Sequence, residues 1–567
     1  MIRSPRYTMM NGLRHIDYTI VIVLYLLLSA GLRWGLPGTE RSSLYDSDRS
    51  RLVGRSSERL FVTGPLQSYQ VDECSTLLPL ARMNPRKFDF DPEWYHWGSL
   101  YLYMVGGALG VSALTGIITL TPDRMFYLAN PEALGRIYLI ARIVTWTFGL
   151  GCVILFITLL RQRSPSALLR SLAGMVFVTA PLFVLYSHYA TPDITLLFWF
   201  MLALYAAGDA RRPSSRMLLI SFAAAGLATS TKYYGILALG FPLWDSLRDR
   251  QLSITIKGLL ISAAAFFVGT PYAILNIRGF IHDLHWQMNH VQVGHGDIFL
   301  GTLPSFSHHL LESFPAGLST PATLLIILTT VLGIVRFRRI GTPATILVII
   351  LLWIQLSRSP LKFSRYILPL IPLHLVLGFE VIQEVWVRKT LRFLLLVLIG
   401  ISVVSQLIVS ARHVSILITP DIRDRAGVWL AENSQEGDTV LLPGRPYFAT
   451  PPMRSDQLQL IISEFDSESI RHTAPDWIII SDYDVEPWMR APHIREMEFQ
   501  LFHQLRSGLP LSDGSRYTSH EFRTWSWRGT ALDGAGFLPH DMRYHCPTLW
   551  IFQREPGGTI PKRRYSE

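Results

Sequence analysis

Two adjacent acids, Asp72 and Glu73, occupy the segment SYQVDECSTL, a few tens of residues after the first apolar stretch of the chain. A carboxylate at a membrane surface can act as a general base or bind a metal ion. An acid is also favoured at a helix N-terminus, where it interacts with the helix dipole and needs no other role. The pair is therefore a candidate catalytic element that other residues must support.

A second acidic segment, DFDPEWYHWGSLYLY at 89–103, places Glu93 and His96 among several aromatic residues. Carboxylate and imidazole together could hold a divalent metal ion. Aromatic rings beside acids also suit the faces of sugars. The alternative is an aromatic belt at the membrane interface, which needs no ligand.

Ionisable residues also stand at the ends of apolar stretches. Asp193 begins one in SHYATPDITLLFWF, where an ionisable group near the hydrocarbon is costly and is a functional candidate by default. The alternative is an acid that is favoured in the first helical turn after Pro192. Lys232 in TSTKYYGILAL and Arg365 in KFSRYILPLIP, which Tyr366 follows, could bind a phosphate at the membrane surface or extend to the interface.

The segment 276–318 carries six histidines. Their spacing matches no standard zinc pattern. We predict that this segment is a mobile loop that covers a substrate, with metal binding as the minor alternative.

The elements that must position these residues are apolar helices. Only 17% of the 567 residues are charged and 49% are hydrophobic, whereas a soluble domain carries about 25% charged residues. Apolar stretches near the length of a bilayer span recur through residues 1–411 and then stop. We predict a multi-pass α-helical membrane protein with roughly 11 spans. The predicted spans are 17–36, 137–160, 171–187, 193–210, 217–233, 234–247, 258–275, 319–335, 342–357, 366–386 and 393–411.

The basic residues indicate the topology, and the net charge of +10 needs no nucleic acid to explain it. Clusters of Arg and Lys lie at 161–170, 211–216, 248–257, 336–339 and 388–392. Successive loops must lie on alternate sides of the membrane. If all of these basic clusters are cytoplasmic, this is possible only when the apolar stretch 98–120 does not cross the membrane. The outer face then holds a large first loop at 37–135. It also holds the basic segment 357–365, which suits either an anionic partner or lipid headgroups.

Residues 412–567 form a separate region with mixed charges. DTVLLP and PDWIIISD predict buried strands, and DIRDRAGVWLAENS predicts a helix. We expect a small α/β domain on the outer side of the membrane. It shows no glycine pattern typical of nucleotide binding.

Four segments, taken in order, resemble the GT-C superfamily of membrane glycosyltransferases. They are VDE, PEWYHWGSLY, YATPDITLLFWF, and TKYYG followed by RYILPLIP. The likeness is greatest to the branch of protein O-mannosyltransferases and lipid A aminoarabinose transferases, the type of families 39 and 83. It covers about residues 15–411, and 412–480 is also typical of bacterial members.

The resemblance implies transfer of a sugar from a polyprenyl-phosphate-linked donor to a protein, lipid or glycan acceptor. The outer face of the plasma or bacterial inner membrane is the expected location. By the resemblance Asp72 is the base with Glu73 as its neighbour, and Asp193 is a second acid. The remaining substrate-binding candidates are Lys232 and Arg365 near the donor phosphate, Tyr366, Glu93 and His96.

The sequence departs from the family at one element. The Glu-Lys-Pro element of the aminoarabinose branch is replaced here by Tyr95-His96-Trp97. A divalent metal is therefore left open as a cofactor, with Asp193, Glu93 and His96 as its candidate ligands, and the identity of the sugar is also open.

Two other classes of protein remain as alternatives. A membrane transporter predicts broken helices at mid-membrane and paired inverted halves, whereas here the ionisable residues gather at helix ends. A polysaccharide polymerase or ligase also has a large outer loop, but its case would depend on outer Arg and His residues rather than on the acids of the first loop.

Overall fold

The computed structural model describes residues 15–45, 60, 63–208, 213–336, 343–386, 388–524 and 538–556. The basic residues Arg211 and Arg212 and most of the RFRR cluster lie outside the described residues. Within the described ranges the chain is helical as far as Leu417 and then builds a five-stranded sheet. The last apolar helix thus continues beyond the domain boundary predicted at 411.

The helical part alternates long helices with short turns. The helices are α1 (Ile16–Leu27), α2 (Cys74–Arg82), α3 (Leu100–Leu114), α4 (Pro131–Arg163), α5 (Ala167–Val178), α6 (Pro181–Ser187), α7 (Asp193–Ala207), α8 (Ser215–Thr231), α9 (Gly240–Arg248), α10 (Leu252–Gly269), α11 (Ile277–Val293), α12 (Thr320–Val335), α13 (Pro343–Arg358), α14 (Leu370–Val385) and α15 (Lys389–Leu417). The short helical turns are Thr39–Ser42, Val71–Glu73, Pro85–Lys87, Arg124–Ala129, Tyr233–Leu239, Tyr272–Leu275, Gly296–Phe299, Ser305–His308, His309–Ser313, Phe314–Leu318 and Ser364–Ile367.

Several of these helices are suited to a bilayer. Within the described ranges, four are long and apolar enough to cross one: α4, α10, α15 and the run Ser364–Val385, which includes α14. The pair α5 and α6, bent by 63° at its break, is a fifth candidate. Shorter apolar helices of 10–17 residues are α1, α3, α7, α12 and α13. The predicted helical membrane architecture is confirmed, whereas the count of roughly 11 spans is not.

Several predicted spans differ from the structure. The stretch 171–187 is broken between α5 and α6, and two others are shortened or divided. The stretch 17–36 is helical only to Leu27, and beyond it Gly31 adopts a φ of +99°, a left-handed conformation that ends regular helix. The stretch 234–247 is divided between the turn Tyr233–Leu239 and α9. The nine residues of α9 measure about 14 Å, which is half of a hydrocarbon core of about 30 Å.

The outward faces of α10 and α15 carry large apolar side chains. Leu260 is 67% exposed and Phe393 is 66% exposed. Soluble proteins rarely leave apolar faces of this extent open to water. These faces therefore suit contact with lipid.

The core of the helical part lies where α4, α5 and α6 meet. Phe156, Phe177 and Phe183 are fully buried there, and consecutive ring centroids are 4.7 and 4.6 Å apart. Aromatic side chains bury large areas and lock neighbouring helices together. This core supports the helix ends at which the candidate residues lie.

The C-terminal region is a small α/β domain, as the sequence predicts. Its strands are β1 (Thr439–Leu442), β2 (Gln459–Ile462), β3 (Trp477–Ser481), β4 (Tyr517–Phe522) and β5 (Leu549–Arg554), in the order β2-β1-β3-β5-β4. Its helices are α16 (Ile422–Asn433), α17 (Ser467–Thr473), α18 (Asp482–Arg490) and α19 (Glu496–Arg506). The strand β1 pairs with β2 and β3 in parallel, whereas β5 pairs with β3 and β4 antiparallel. Successive residues of β3 face opposite sides, so helices cover both faces of the sheet.

One segment of the C-terminal region leaves this domain and packs into the helical part. We call residues 538–546 (LPHDMRYHC) the insert segment; it contains the short helical turn His540–Met542. Leu538, Met542 and Cys546 belong to the same buried core cluster as α4, α5 and α6. The two parts of the chain therefore share a core at this point.

Candidate active site

Four of the predicted residues come together as two ion pairs. The guanidinium of Arg365 contacts the carboxylate of Asp72, and Lys232 Nζ lies 2.7 Å from Asp193 Oδ1. The Tyr366 ring joins the pairs, because its centroid lies 5.8 Å from both Lys232 Nζ and the guanidinium carbon of Arg365. The chain separations, such as the 293 residues between Asp72 and Arg365, show that only the tertiary fold builds this cluster.

The four charged side chains of the cluster differ in their exposure to solvent. The side chain of Asp72 is 23% exposed, whereas those of Arg365, Lys232 and Asp193 are 9%, 6% and 3% exposed. Asp72 is therefore the carboxylate of the cluster that an incoming molecule reaches most readily. The two cations lie deeper, each beside an aromatic ring, and charges in such surroundings interact more strongly than in water.

Helix ends place Asp193 and Lys232. Asp193 is the first residue of α7, directly after Pro192, as is typical of a helix start. Lys232 follows the last residue of α8 in an extended conformation. The next turn then folds back closely, since a Cβ added at Gly235 would lie 2.3 Å from the carbonyl oxygen of Ala228. A larger residue there would move the turn and the lysine with it.

Glu73 is placed quite differently from its neighbour Asp72. It is fully buried, and its Oε1 accepts hydrogen bonds from Arg142 Nε at 2.7 Å and from the backbone N–H of Ala190 at 2.8 Å. Its Oε2 accepts from Arg142 Nη2 at 2.9 Å and from the hydroxyl of Ser68. This carboxylate has no free face for a substrate. It holds the turn Val71–Glu73 and thereby the position of Asp72.

Arg142 is the important residue here that the sequence reasoning missed. It lies inside the long apolar helix α4, is fully buried, and also donates to the carbonyl oxygens of Leu32 and Trp34 at 2.7 Å each. An arginine within an apolar helix is costly unless it is paired. That cost was the signal in the sequence that could have identified it.

Glu93 and His96 do not join Asp193 as a ligand set. Glu93 is exposed with a φ of +47°, and its carbonyl oxygen accepts from Arg82. The His96 ring packs against Trp286 at a centroid distance of 4.3 Å. Burial lowers the pKa of His96 below its usual value, so the ring is neutral near pH 7. Within the described residues no group of three or more His, Cys, Asp or Glu could hold a metal ion.

A row of aromatic rings leads from His96 to Arg365. Trp286 stacks on His290 at 4.8 Å, and His290 contacts His295 at 4.7 Å. His295 then contacts Phe363 at 5.8 Å, and the Arg365 guanidinium carbon lies 4.4 Å from the Phe363 ring centroid. The histidine-rich segment 276–318 thus borders the charged cluster. It is not a simple loop as predicted, because it begins with the 17-residue helix α11, and its cover of a substrate stays a prediction.

Sequence comparison points to one family over part of the chain. Residues 125–286 match the family described as dolichyl-phosphate-mannose-protein mannosyltransferase. A comparison with curated proteins finds no match. The family match confirms the resemblance to the GT-C membrane glycosyltransferases. Its range includes Arg142, Asp193 and Lys232 but neither Asp72 nor Arg365.

Solved structures with a similar chain path are also found, at low identity. The crystal structure of ArnT from Cupriavidus metallidurans bound to undecaprenyl phosphate is 12% identical, over 84% of this chain and 94% of that one, with a TM-score of 0.42. Its apo form is 13% identical over 83% and 93%, with a TM-score of 0.43. The S. cerevisiae protein O-mannosyltransferase Pmt1-Pmt2 complex bound to the sugar donor is 19% identical over 51% and 36%, with a TM-score of 0.27.

The family match indicates the class of the membrane glycosyltransferases. Within it, the particular likeness is to the mannosyltransferase family, over residues 125–286.

Proposed function

We propose that this protein transfers a sugar from a polyprenyl-phosphate-linked donor to an acceptor at the outer face of the membrane. The observation that carries the proposal is the cluster of Asp72, Arg365, Lys232 and Asp193 around the Tyr366 ring. It combines one accessible carboxylate with two cations at helix ends. A lipid-linked donor brings its phosphate to this depth while its tail stays in the bilayer.

The two cations suit the phosphate of the donor. Charge-assisted hydrogen bonds to phosphate are among the strong ones, and fixed cations that face a leaving phosphate stabilise the transition state. In the cluster, Arg365 contacts Asp72. A donor phosphate competes with Asp72 for that guanidinium. Donor binding therefore releases the carboxylate at the moment when a base is required.

The chemical step then follows. The released carboxylate of Asp72 accepts the proton of the acceptor group while the acceptor atom forms its bond to the anomeric carbon. The bond between that carbon and the phosphate oxygen breaks, and its electron pair stays on the phosphate beside Lys232 and Arg365. Asp193 holds Lys232 in place through their 2.7 Å contact. The Tyr366 ring lies between the two cations, with its centroid 5.8 Å from both Lys232 Nζ and the guanidinium carbon of Arg365.

The topology belongs to the same proposal. The first loop, 37–135, the segment 276–318 and the domain after residue 411 lie on the outer side of a plasma or bacterial inner membrane. The stretch 98–120, which contains α3, does not cross. Contact of the cluster with the first loop and with the insert segment supports one common side for all of them.

The decisive experiment uses purified protein in liposomes. Undecaprenyl-phospho-mannose and undecaprenyl-phospho-aminoarabinose are supplied separately, with a membrane extract as the source of acceptor, and release of undecaprenyl phosphate is measured. We expect release with one donor, and its loss in the Asp72→Asn variant. Lipid that co-purifies with the wild-type protein is identified by mass spectrometry. Failure to consume or to bind either donor would remove the proposed function and favour a polymerase, ligase or transporter.

A further inference from the structure

The insert segment contacts Arg365 of the charged cluster through the side chain of Tyr544 and through the carboxylate of Asp541. This acid is 1% exposed. Its Oδ1 accepts the backbone N–H of Ser364 and its Oδ2 the backbone N–H of Arg365, each at 2.9 Å. Its Oδ2 also accepts from the hydroxyl of Tyr186, in α6, at 2.7 Å.

These contacts fix the turn that carries Arg365. The turn Ser364–Ile367 has no side-chain cap of its own, because its N-cap residue is Phe363. The first N–H groups of any helical turn need acceptors, and a carboxylate at that end also suits the helix dipole. Asp541 supplies both from a position 176 residues further along the chain. The start of this turn is therefore stabilised by a contact from the C-terminal region.

The insert segment is itself held from two sides. Arg543, two residues after Asp541, lies 3.1 Å from Asp482 of α18 in the C-terminal domain. His545 Nε2 lies 2.7 Å from Nδ1 of His413 in α15. The position of Asp541 thus depends on both the C-terminal domain and the last membrane helix.

We propose that Asp541 is a positioning residue for sugar transfer: it caps the turn of Arg365 so that the guanidinium meets Asp72 and the donor phosphate. The proposal rests on the proposed function of the cluster. It makes the C-terminal region a part of the active site, because the helical turn His540–Met542 of the insert segment carries Asp541. A purely structural role for Asp541 would instead lower stability and act independently of Arg365.

The test is a double-mutant cycle between Asp541 and Arg365. The change Asp541→Asn keeps the size of the side chain but turns one acceptor oxygen into an NH2 donor, which cannot accept the N–H of Ser364 or Arg365. In the wild-type background we expect kcat to fall by ~10-fold or more, on the donor that the wild-type protein consumes in liposomes. In the Arg365→Ala background the same change should alter kcat by less than ~2-fold, because the guanidinium that Asp541 positions is already absent.

A control variant separates this effect from the loss of a helix cap elsewhere in the C-terminal region. Asp466 caps α17 inside the C-terminal domain, with its Oδ1 accepting the Ser469 N–H at 2.7 Å. Asp466→Asn should lower stability while leaving kcat unchanged. If Asp541→Asn prevents folding, Tyr186→Phe removes only one of the three hydrogen bonds to the Asp541 carboxylate. It should then reduce kcat by ~2- to 5-fold, again only while Arg365 is present.

The outcomes distinguish this inference from the proposed function. An equal fold-loss in both backgrounds, or no loss in the wild-type background, overturns the positioning role of Asp541 while transfer by the wild-type protein stands. Absence of transfer in the wild-type protein overturns the proposed function. Amide hydrogen exchange then still tests whether Asp541 caps the turn. The amides of 364–365 should exchange faster in Asp541→Asn but not in Asp466→Asn. Unchanged exchange in Asp541→Asn would show that Asp541 does not cap this turn.

Discussion

Replacing Glu73 by glutamine should destabilise the protein more than replacing its neighbour Asp72 by asparagine, because the Glu73–Arg142 pair is fully buried and the Asp72–Arg365 pair is not. Glu73 is fully buried and pairs with the equally buried Arg142 through two hydrogen bonds. Removing one partner of a buried ion pair leaves an uncompensated charge and typically costs about 3–5 kcal/mol. The NH2 group of the introduced glutamine would also face an N–H donor of Arg142 in either orientation, because both Glu73 oxygens accept from that guanidinium. We expect a loss of unfolding free energy in this range.

The assay compares thermal unfolding in detergent with turnover in liposomes. Glu73→Gln should lower the Tm clearly. Any loss of turnover should be indirect, because the turn Val71–Glu73 that carries Asp72 becomes less well held. Removing both charges together, as Glu73→Leu with Arg142→Leu, should cost less stability than Glu73→Leu alone, because no charge is then left buried without its partner. A Glu73→Gln variant with wild-type Tm and lost turnover would refute this reasoning and give Glu73 a direct part in the chemistry.

Three further predictions concern the chemical step, the donor and the C-terminal domain. Asp72→Asn should reduce transfer by ~10²-fold or more while undecaprenyl phosphate still binds, since general-base catalysis contributes about that much; turnover and lipid binding measured on one preparation check this. Lys232→Ala and Arg365→Ala should each weaken binding of undecaprenyl phosphate by ~2 kcal/mol, because charge-assisted contacts to phosphate are lost; unchanged affinity in both would remove them from the donor site. Burial raises the pKa of Asp482 to about 6 from 3.8, so the folded state binds this proton more tightly than the unfolded state. Its contribution to the free energy of unfolding should therefore be full below about pH 4 and be lost as the pH rises through about 6; denaturant unfolding across this range should show a slope that Asp482→Asn flattens.

The sequence was informative where single residues break an apolar pattern. Asp193, Lys232 and Arg365 stand out because an ionisable group at the end of an apolar stretch is costly, and the structure gathers all three. Their pairing could not be predicted. Arg365 contacts Asp72 and Lys232 contacts Asp193, and these choices depend on how helices from distant parts of the chain pack.

Other features gave a weaker signal or none. Arg142 breaks the apolar pattern of α4 in the same way, although the predicted span 137–160 contains it without giving it a role. The stretch 234–247 is apolar enough for a span, but the close approach of Gly235 to Ala228 winds its first half into a tight turn. Asp541 lies in a polar region among many other acids. Only the burial of the insert segment in the helical core distinguishes it.

The late position of Asp541 in the chain has a consequence for biosynthesis. Arg365 and Asp541 are separated by 176 residues, which a ribosome adds in roughly 9–35 s at about 5–20 residues per second. During that interval the membrane helices can insert and assemble, but the turn of Arg365 lacks its cap. On the proposed topology the missing piece must also be delivered across the membrane before the cluster is complete. A newly made chain would therefore begin to consume lipid-linked donor only after its C-terminal domain has been exported and folded, so that a stalled or truncated chain stays inactive.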